Sequence, residues 1–232
     1  MSAEVQLAGR TVVVIGGSSG IGLETARHAR AAGADVLTSV GRKLGARTSA
    51  FDATAFEQLG RFFDDLPTPI DHVLVTGSGP YYAPLAEFDI ERARGDLDAH
   101  ILLPLQVARN AVGKVRPGGT LLFMGGTGGR RPAVGFALIS ALTAAGPAMI
   151  RNLALELAPI RVNLIAAGFV DTPLSATILG NQLETRREQL RTTLPIRRVV
   201  GPADIAALAL HLMTNSAVTG ATFDIDGGQQ LV

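Results

Sequence analysis

The fold of this 232-residue chain is decided near its N-terminus by residues 11–22, which read TVVVIGGSSGIG. Residues 12–15 are continuously apolar, as is typical of a strand buried on both faces of a sheet. The glycines that follow have the spacing G-x-x-x-G-x-G and lead into an amphipathic helix. The stretch therefore predicts a strand, a tight turn and a helix whose free N–H groups can face a pyrophosphate. A purely structural glycine turn is the alternative interpretation.

Short β-rich runs alternate with longer helical runs along the rest of the chain. Strands are expected at residues 11–15, 35–40, 48–52, 72–76, 120–124, 162–166 and 222–225, and helices at 21–32, 55–65, 89–115, 141–157 and 203–214. This alternation predicts an α/β fold, namely a Rossmann-type doubly wound sheet of about seven mostly parallel strands with helices on both faces, in the order 3-2-1-4-5-6-7. Neither a linker nor a repeat divides the chain, so residues 1–232 are expected to form a single domain. Residues 169–200 are interpreted as a long irregular segment that covers the ligand crevice.

Composition narrows the classes of function. Hydrophobic residues at 47% and charged residues at 18% indicate a sizeable core, and a formal net charge of +1 gives no reason to expect nucleic acid or an anionic membrane as a partner. The uncharged residues 132–150 contain two prolines and two glycines, so a buried helix is favoured over a membrane span. The absence of cysteine excludes disulfides, thiol catalysis and zinc–thiolate sites. No metal site is expected, and a cytoplasmic location is compatible with this composition.

Several segments besides the glycine-rich loop resemble the short-chain dehydrogenase/reductase family. Asp52 is similar to the family's adenine-contacting aspartate, and residues 74–79, LVTGSG, lie where the family carries Asn-Ala-Gly, with only the last glycine kept. Residues 161–173, RVNLIAAGFVDTP, are similar to the segment that runs into the family's Pro-Gly motif, with Ala167 in place of proline. Residues 219–228, TGATFDIDGG, resemble its C-terminal signature. The order and spacing of these segments extend the resemblance over nearly the whole chain.

The resemblance implies that a nicotinamide dinucleotide is bound by residues spread over these segments. The expected cofactor-binding residues are Gly16, Ser18, Ser19, Gly20, Ile21, Arg42, Lys43, Asp52, Ala53, Gly77, Ser78, Gly79, Gly168, Val170 and Thr172. No acid follows Asp35 at the end of the second predicted strand, where an NAD site usually has one for the ribose hydroxyl. Arg42 and Lys43 stand there instead and can bind a 2′-phosphate, so NADP(H) is preferred over NAD(H). Solvated loop charges are the alternative.

The usual catalytic residues of the family do not match. Family members use a Ser, a Tyr-x-x-x-Lys pair and an Asn, and the aligned positions here hold Gly126, Ile139, Thr143 and His100. No lysine follows Lys114, so no other alignment restores the pair. The family's proton-delivery mechanism is therefore not expected in this chain.

Other polar residues are candidates for proton delivery. Tyr81 and Tyr82 follow the fourth predicted strand, His100 has a side chain suited to proton transfer, and Thr127 lies in a glycine-rich loop after the fifth strand. The tyrosines can equally be packing residues, and His100 can be a hydrogen-bonded core residue.

Two hypotheses about function follow. The first is an NADP(H)-dependent oxidoreductase that acts on a small carbonyl or alcohol substrate with non-standard proton delivery. The second is a catalytically silent NADP(H)-binding protein. The small, uncharged residues of the helix expected at 141–157, together with the family resemblance, predict a homodimer or homotetramer.

Overall fold

The computed structural model describes residues 7–39, 47–77 and 79–232 of the chain. Seven strands form one sheet in the order β3-β2-β1-β4-β5-β6-β7, and all the strand pairs are parallel. The strands are β1 Thr11–Ile15, β2 Asp35–Ser39, β3 Arg47–Ser49, β4 Ile70–Val75, β5 Val115–Gly126, β6 Arg161–Ala167 and β7 Thr222–Ile225. The prediction of a Rossmann-type α/β fold is confirmed.

Eight α-helices accompany the sheet within the described residues. They are α1 Gly20–Ala31, α2 Phe56–Asp64, α3 Ile90–Leu97, α4 Leu103–Ala111, α5 Ala137–Glu156, α6 Pro173–Leu179, α7 Leu183–Thr193 and α8 Pro202–Thr214. A π-helical turn, Asp98–Leu102, joins α3 to α4. By length and composition alone, α5 is the one described helix that could cross a membrane, and within the fold it packs on β6.

The core has two hydrophobic layers, one on each face of the sheet, and β1 contributes residues to both. Val13 and Ile15 join the hydrophobic cluster beneath α2, α4 and α5. Val12 and Val14 point the other way, into the cluster beneath α1 and α8. This alternation explains why the run of apolar residues in β1 is unbroken.

Two helical predictions need correction. Residues 169–200, predicted to be irregular, contain α6 and α7, because Thr172 caps α6 by accepting a hydrogen bond from the Ser175 N–H and Pro173 occupies the first turn. The helix predicted over residues 89–115 is interrupted by the π-turn. Pro104 has no N–H to donate to the carbonyl of His100, which accounts for the change of helical pitch there.

Candidate active site

The glycine-rich loop lies at the carboxyl edge of the sheet, between β1 and α1. Gly16 has a φ of +86°, which favours glycine, and the Thr76 hydroxyl donates to the Ile15 and Gly16 carbonyls, both at 3.1 Å. A Cβ on Gly22 would lie 2.4 Å from the Gly16 carbonyl oxygen. The loop is therefore folded so closely on itself that a side chain at Gly22 cannot be accommodated without moving backbone.

The first turn of α1 provides hydrogen-bond donors for an anion. Ser19 occupies the N-cap in an extended conformation and makes no side-chain capping bond within the described residues. The first turn, which is described in full, carries no acidic side chain. With Ser18 beside them and Gly20 at a φ of +52°, the N–H groups of this turn suit a phosphate. Ile21 follows, packed against the core cluster beneath α1.

The neighbouring loops supply the residues predicted to contact the adenosine half of a dinucleotide. Asp52 is exposed after β3, and its Oδ1 accepts from the Thr54 N–H at 2.9 Å and from the Thr54 hydroxyl at 2.7 Å. These bonds, the hydroxyl's first, lower the pKa of the Asp52 carboxyl. Ala53 lies half-buried beside it. The predicted residues Arg42, Lys43 and Ser78 lie outside the described residues.

Helix α6 lies over the loops after β1 and β4. A Cβ on Gly79 would lie 3.0 Å from Leu174 of α6, and one on Gly20 would lie 3.4 Å from Thr172. A Cβ on Gly77 meets open space. The segment that ends at Thr172 thus contacts the phosphate loop, and α6 forms one wall of the crevice.

The chain leading into α6 is held by the last strands. A Cβ on Gly168 would lie 2.6 Å from the Cβ of Asp226. The Phe169 N–H donates to the Gln229 side chain at 2.9 Å. Val170 is buried and forms a β-bridge with Val200. Gly168, Val170 and Thr172 are consequently fixed along one side of the predicted dinucleotide site.

The three positions aligned with the family's Ser, Tyr and Lys hold Gly126, Ile139 and Thr143. The Ile139 side chain is buried, with 5% exposure. The Thr143 hydroxyl donates back to the Ile139 carbonyl at 2.8 Å, and a Cβ on Gly126 would lie 3.5 Å from the Thr143 methyl. A Cβ on Gly129 would lie 2.1 Å from the Thr143 oxygen. These three positions hold no phenol or ammonium group, and the Thr143 hydroxyl is bonded to backbone carbonyls.

Tyr81 is tied into the loop after β4. Its hydroxyl accepts from the Asp89 N–H at 2.8 Å and donates to the Glu87 carbonyl at 3.3 Å. The Arg92 guanidinium lies 4.4 Å above the ring. Both hydrogen-bonding capacities of the phenol are used within this loop, which favours the packing interpretation of Tyr81.

Tyr82 borders an apolar groove. The ring is 42% exposed and lies 4.8 Å from the Phe136 ring in a tilted stack. Burial, and then the negative charge of Asp96, raises the pKa of the Tyr82 phenol. The groove has a volume of about 440 Å³ and is lined by Ala83, Leu85, Pro132, Ala133, Val134, Gly135, Phe136, Ala137 and Ser140. An uncharged, largely apolar molecule would fit this lining.

Thr127 and Arg130 are used within the fold. Thr127 is 2% exposed, and its N–H donates to the Ala167 carbonyl at 2.9 Å, which favours a structural role. The Arg130 guanidinium forms a two-pronged ion pair with Asp224, at 2.5 and 2.7 Å. That hydrogen-bonded carboxylate raises the pKa of Arg130 and neutralises its charge. Arg130 is therefore a poor candidate for holding an acidic substrate.

His100 lies in the π-turn, and its imidazole approaches Asp96. The distance from Nδ1 is 3.0 Å to the Asp96 carbonyl oxygen and 3.9 Å to the Asp96 carboxylate. Asp96 was missed by the sequence analysis. Its spacing of four residues before His100 was a usable signal, because such residues share one helix face. No cluster of His, Asp and Glu able to hold a metal occurs among the residues that the structure describes.

Comparison with known proteins agrees with this geometry. Residues 15–230 match the family described as enoyl-(acyl carrier protein) reductase. A short-chain dehydrogenase/reductase from Stachybotrys chlorohalonatus is 27% identical over 96% of this chain and 97% of its own length. An uncharacterised oxidoreductase from Mycobacterium tuberculosis is 30% identical over 96% of this chain and 93% of its own.

A solved structure gives the same result. The crystal structure of a small-chain dehydrogenase in complex with NADPH superimposes with a TM-score of 0.86 at 27% identity, covering 96% of this chain and 99% of that one. The chain belongs to the short-chain dehydrogenase/reductase family.

Proposed function

We propose that this protein is an NADP(H)-dependent oxidoreductase that acts on a small carbonyl or alcohol substrate. The observation that carries the proposal is the phosphate loop, where the space beside Gly22 and Gly16 admits no side chain and the first turn of α1 carries no acid. When bound in this crevice, the nicotinamide would supply or accept hydride. The chain's own residues would bind the dinucleotide, orient the substrate and move a proton.

The described residues at the carboxyl edge of the sheet fit a dinucleotide. The N-terminus of α1 suits the pyrophosphate, and Oδ2 of Asp52, which has no partner among the described residues, suits the adenine. Thr172 and α6 would lie along the nicotinamide half. NADPH in the similar small-chain dehydrogenase supports this assignment.

The preference for NADP(H) rests on Arg42 and Lys43. A guanidinium can form a charge-assisted fork with a 2′-phosphate, and no acid stands near it in the sequence to attract a free ribose hydroxyl. Because Arg42 would contact only the extra phosphate, reversing its charge should separate the two cofactors.

The test is a binding titration of the Arg42→Asp variant with NADPH and NADH. Loss of a charged hydrogen bond should weaken NADPH binding about tenfold to a hundredfold, while NADH binding stays within about twofold. Arg61→Asp on α2 is the matched control, because among the described residues the Arg61 side chain pairs with exposed Glu57 alone. Equal affinities of parent and Arg42→Asp for both cofactors would show that Arg42 is a solvated loop charge.

The substrate would lie in the groove beside Tyr82 and Phe136. Its lining is apolar except for the Ser140 hydroxyl and backbone groups, so neutral carbonyl compounds with an apolar body are the best candidates. Proton delivery would be non-standard, because Ile139 and Thr143 replace the family's pair. Of the predicted donors, Tyr82 and His100 each keep one polar atom without a hydrogen-bond partner among the described residues, namely the Tyr82 hydroxyl and His100 Nε2.

A catalytically silent NADP(H)-binding protein is the second candidate. It is favoured by the residues at the family's catalytic positions, where Ile139 is buried and apolar, Gly126 has no side chain, and the Thr143 hydroxyl is bonded to backbone. Measuring NADPH oxidation across a panel of carbonyl compounds, beside a binding titration, separates the two. Turnover supports the enzyme, and binding without oxidation of any compound supports the silent protein.

We also propose a homodimer or homotetramer, located in the cytoplasm. The outward face of α5 is made of small residues, including Ala141, Ala144, Ala145 and Ala148, all exposed in the single chain. Such a face allows two helices to approach closely. A monomer in light scattering at micromolar concentration would contradict the assembly.

A further inference from the structure

A buried carboxylate in α3, that of Asp96, has no lysine or arginine partner among the described residues. Asp96 is 6% exposed. Its Oδ2 accepts a hydrogen bond from the Tyr81 N–H at 2.8 Å, and among the described residues the basic group within ion-pair distance of its carboxylate is His100. Removing a carboxylate from water is costly unless hydrogen bonds or an opposite charge compensate it. The burial of the Asp96 carboxylate is therefore costly, which suggests that it has a function.

The imidazole of His100 has a defined orientation. Since a backbone carbonyl can only accept, the 3.0 Å contact makes Nδ1 the nitrogen that donates to the Asp96 carbonyl. Nε2 is left to exchange a proton, and the side chain is 20% exposed. Asp96 thus contacts the same ring edge twice, through its carbonyl and, at 3.9 Å, through its carboxylate.

The π-turn carries His100 towards the helix with the substituted catalytic positions. Residues Asp98–Leu102 pack against α5, the helix that holds Ile139 and Thr143. Tyr82, on the groove rim, is close enough to feel the charge of Asp96. The Asp96 carboxylate is therefore close to both of the candidate proton donors, His100 and Tyr82.

We propose that His100 is the proton donor and acceptor of the reaction and that Asp96 is the positioning residue that holds it. This inference rests on the proposed function. During reduction, bound NADPH would supply hydride to the carbonyl carbon and become NADP⁺, and the π electrons of the C=O bond would move to oxygen. That oxygen would take the Nε2 proton of His100 in its imidazolium form, directly or through one water. The neutral imidazole keeps its Nδ1–H on the Asp96 carbonyl and regains a proton from solvent. Alcohol oxidation follows the same steps in reverse.

The test compares His100→Ala and Asp96→Asn with the parent, using NADPH and a panel of apolar aldehydes and ketones. His100→Ala should lower kcat about a hundredfold, leave the Kd for NADPH unchanged and recover part of its kcat with added imidazole. Asp96→Asn keeps an acceptor for the Tyr81 N–H and should lower kcat about tenfold without changing KM. His100→Gln serves as a second variant if His100→Ala does not fold.

The matched controls come from a similar pair on α1. His28 and Glu24 are also four residues apart, with Nε2 and Oε1 at 3.2 Å, and their side chains are 38% and 27% exposed. His28→Ala and Glu24→Gln should leave kcat unchanged. The double variant Asp96→Asn/His100→Ala should be no slower than His100→Ala, because a positioning residue acts only through the group that it holds.

Each outcome decides the matter. If both His100 variants turn over at the parental kcat, the assignment of His100 is wrong while the proposed function stands. If Asp96→Asn loses the same factor with and without His100, Asp96 is merely structural. If the parent binds NADPH but reduces no compound, the proposed function fails, and the inference fails with it.

Discussion

The two edges of the sheet use polar residues in opposite ways. At the amino edge the buried polar groups bind one another: Asp71 accepts from Arg10 and the Thr11 N–H at 3.0 and 2.8 Å and pairs with Arg116, and His72 lies 3.2 Å from the Thr120 hydroxyl. At the carboxyl edge the first turn of α1 has no side-chain cap within the described residues.

This difference indicates which polar residues stabilise the fold and which can bind a ligand. Groups that are satisfied inside the protein contribute to folding and have little capacity left for a ligand. Donors held in place by the fold but without internal partners are available to an anion. We therefore expect substitutions at the amino edge to change stability alone, and those at the phosphate loop to change cofactor binding first.

The largest expected effect is at Arg161, which starts β6. Its buried guanidinium donates to the Leu212 and Met213 carbonyls and, at 2.6 Å, to the Thr120 hydroxyl. Arg161→Met should lower the free energy of unfolding by about 3 kcal/mol or more, because several buried acceptors lose their donor. Denaturant titration measures this, with the exposed Arg61→Met as control. If Arg161→Met leaves stability unchanged but weakens NADPH binding, the amino edge serves binding and the assignment of stability to it is wrong.

Acid should destabilise the same edge through His72. Burial lowers the pKa of His72 to about 4. The positive charges of Arg116, Arg161 and Arg10 lower it as well, whereas the negative charge of Asp71 raises it. The unfolded chain then binds the proton more tightly, so the stabilisation is complete above pH 6.5, the ordinary value, and is lost as the pH falls towards 4.

The size of this effect follows from the shift. A pKa difference between 6.5 and about 4 corresponds to about 3 kcal/mol. Denaturant midpoints measured across this pH range for parent and His72→Gln give the contribution by difference. A parental stability that is flat between pH 6.5 and 4 would contradict it.

Next comes the phosphate loop. Gly22→Ala places a Cβ against the Gly16 carbonyl and should weaken NADPH about a hundredfold, which corresponds to about 2.7 kcal/mol. Gly60→Ala in α2 is the control, because a Cβ there meets nothing within 4 Å and alanine favours the helix. Isothermal titration with NADPH compares the two. Tight binding by Gly22→Ala would show that the turn does not depend on this contact.

The smallest effect distinguishes the paired tyrosines. Tyr81→Phe removes the acceptor of the Asp89 N–H and should cost about 1 kcal/mol of stability, without affecting NADPH binding. Tyr82→Phe should leave stability unchanged, because among the described residues its hydroxyl has no hydrogen-bond partner. Thermal or denaturant unfolding measures both. If Tyr82→Phe alone loses stability, Tyr82 and not Tyr81 has the structurally important hydroxyl.

Local patterns predicted most of the fold. Strand β1 begins and ends where its apolar run and first glycine predict, and the spacing of Gly16, Gly20 and Gly22 predicted the turn into α1. These features depend on neighbouring residues only, so they can be recognised in the sequence.

The remaining features depend on contacts between distant residues. The Tyr81 hydroxyl is hydrogen-bonded because the loop folds back and brings the Asp89 N–H to it. Thr127 is fixed by Ala167, forty residues away, and Asp96 accepts from the Tyr81 N–H, fifteen residues away. No local pattern carries this information, and that is why the surroundings of the candidate donors could not be predicted from the sequence.

The most direct test of the central claim follows hydride itself. The protein is mixed with NADPH deuterated at C4 of the nicotinamide, on each face in turn, and with apolar ketones and aldehydes, and the products are analysed by mass spectrometry. We expect saturable turnover in which label from one face appears at the carbinol carbon of at least one alcohol. Tight NADPH binding without deuterium in any product would contradict it.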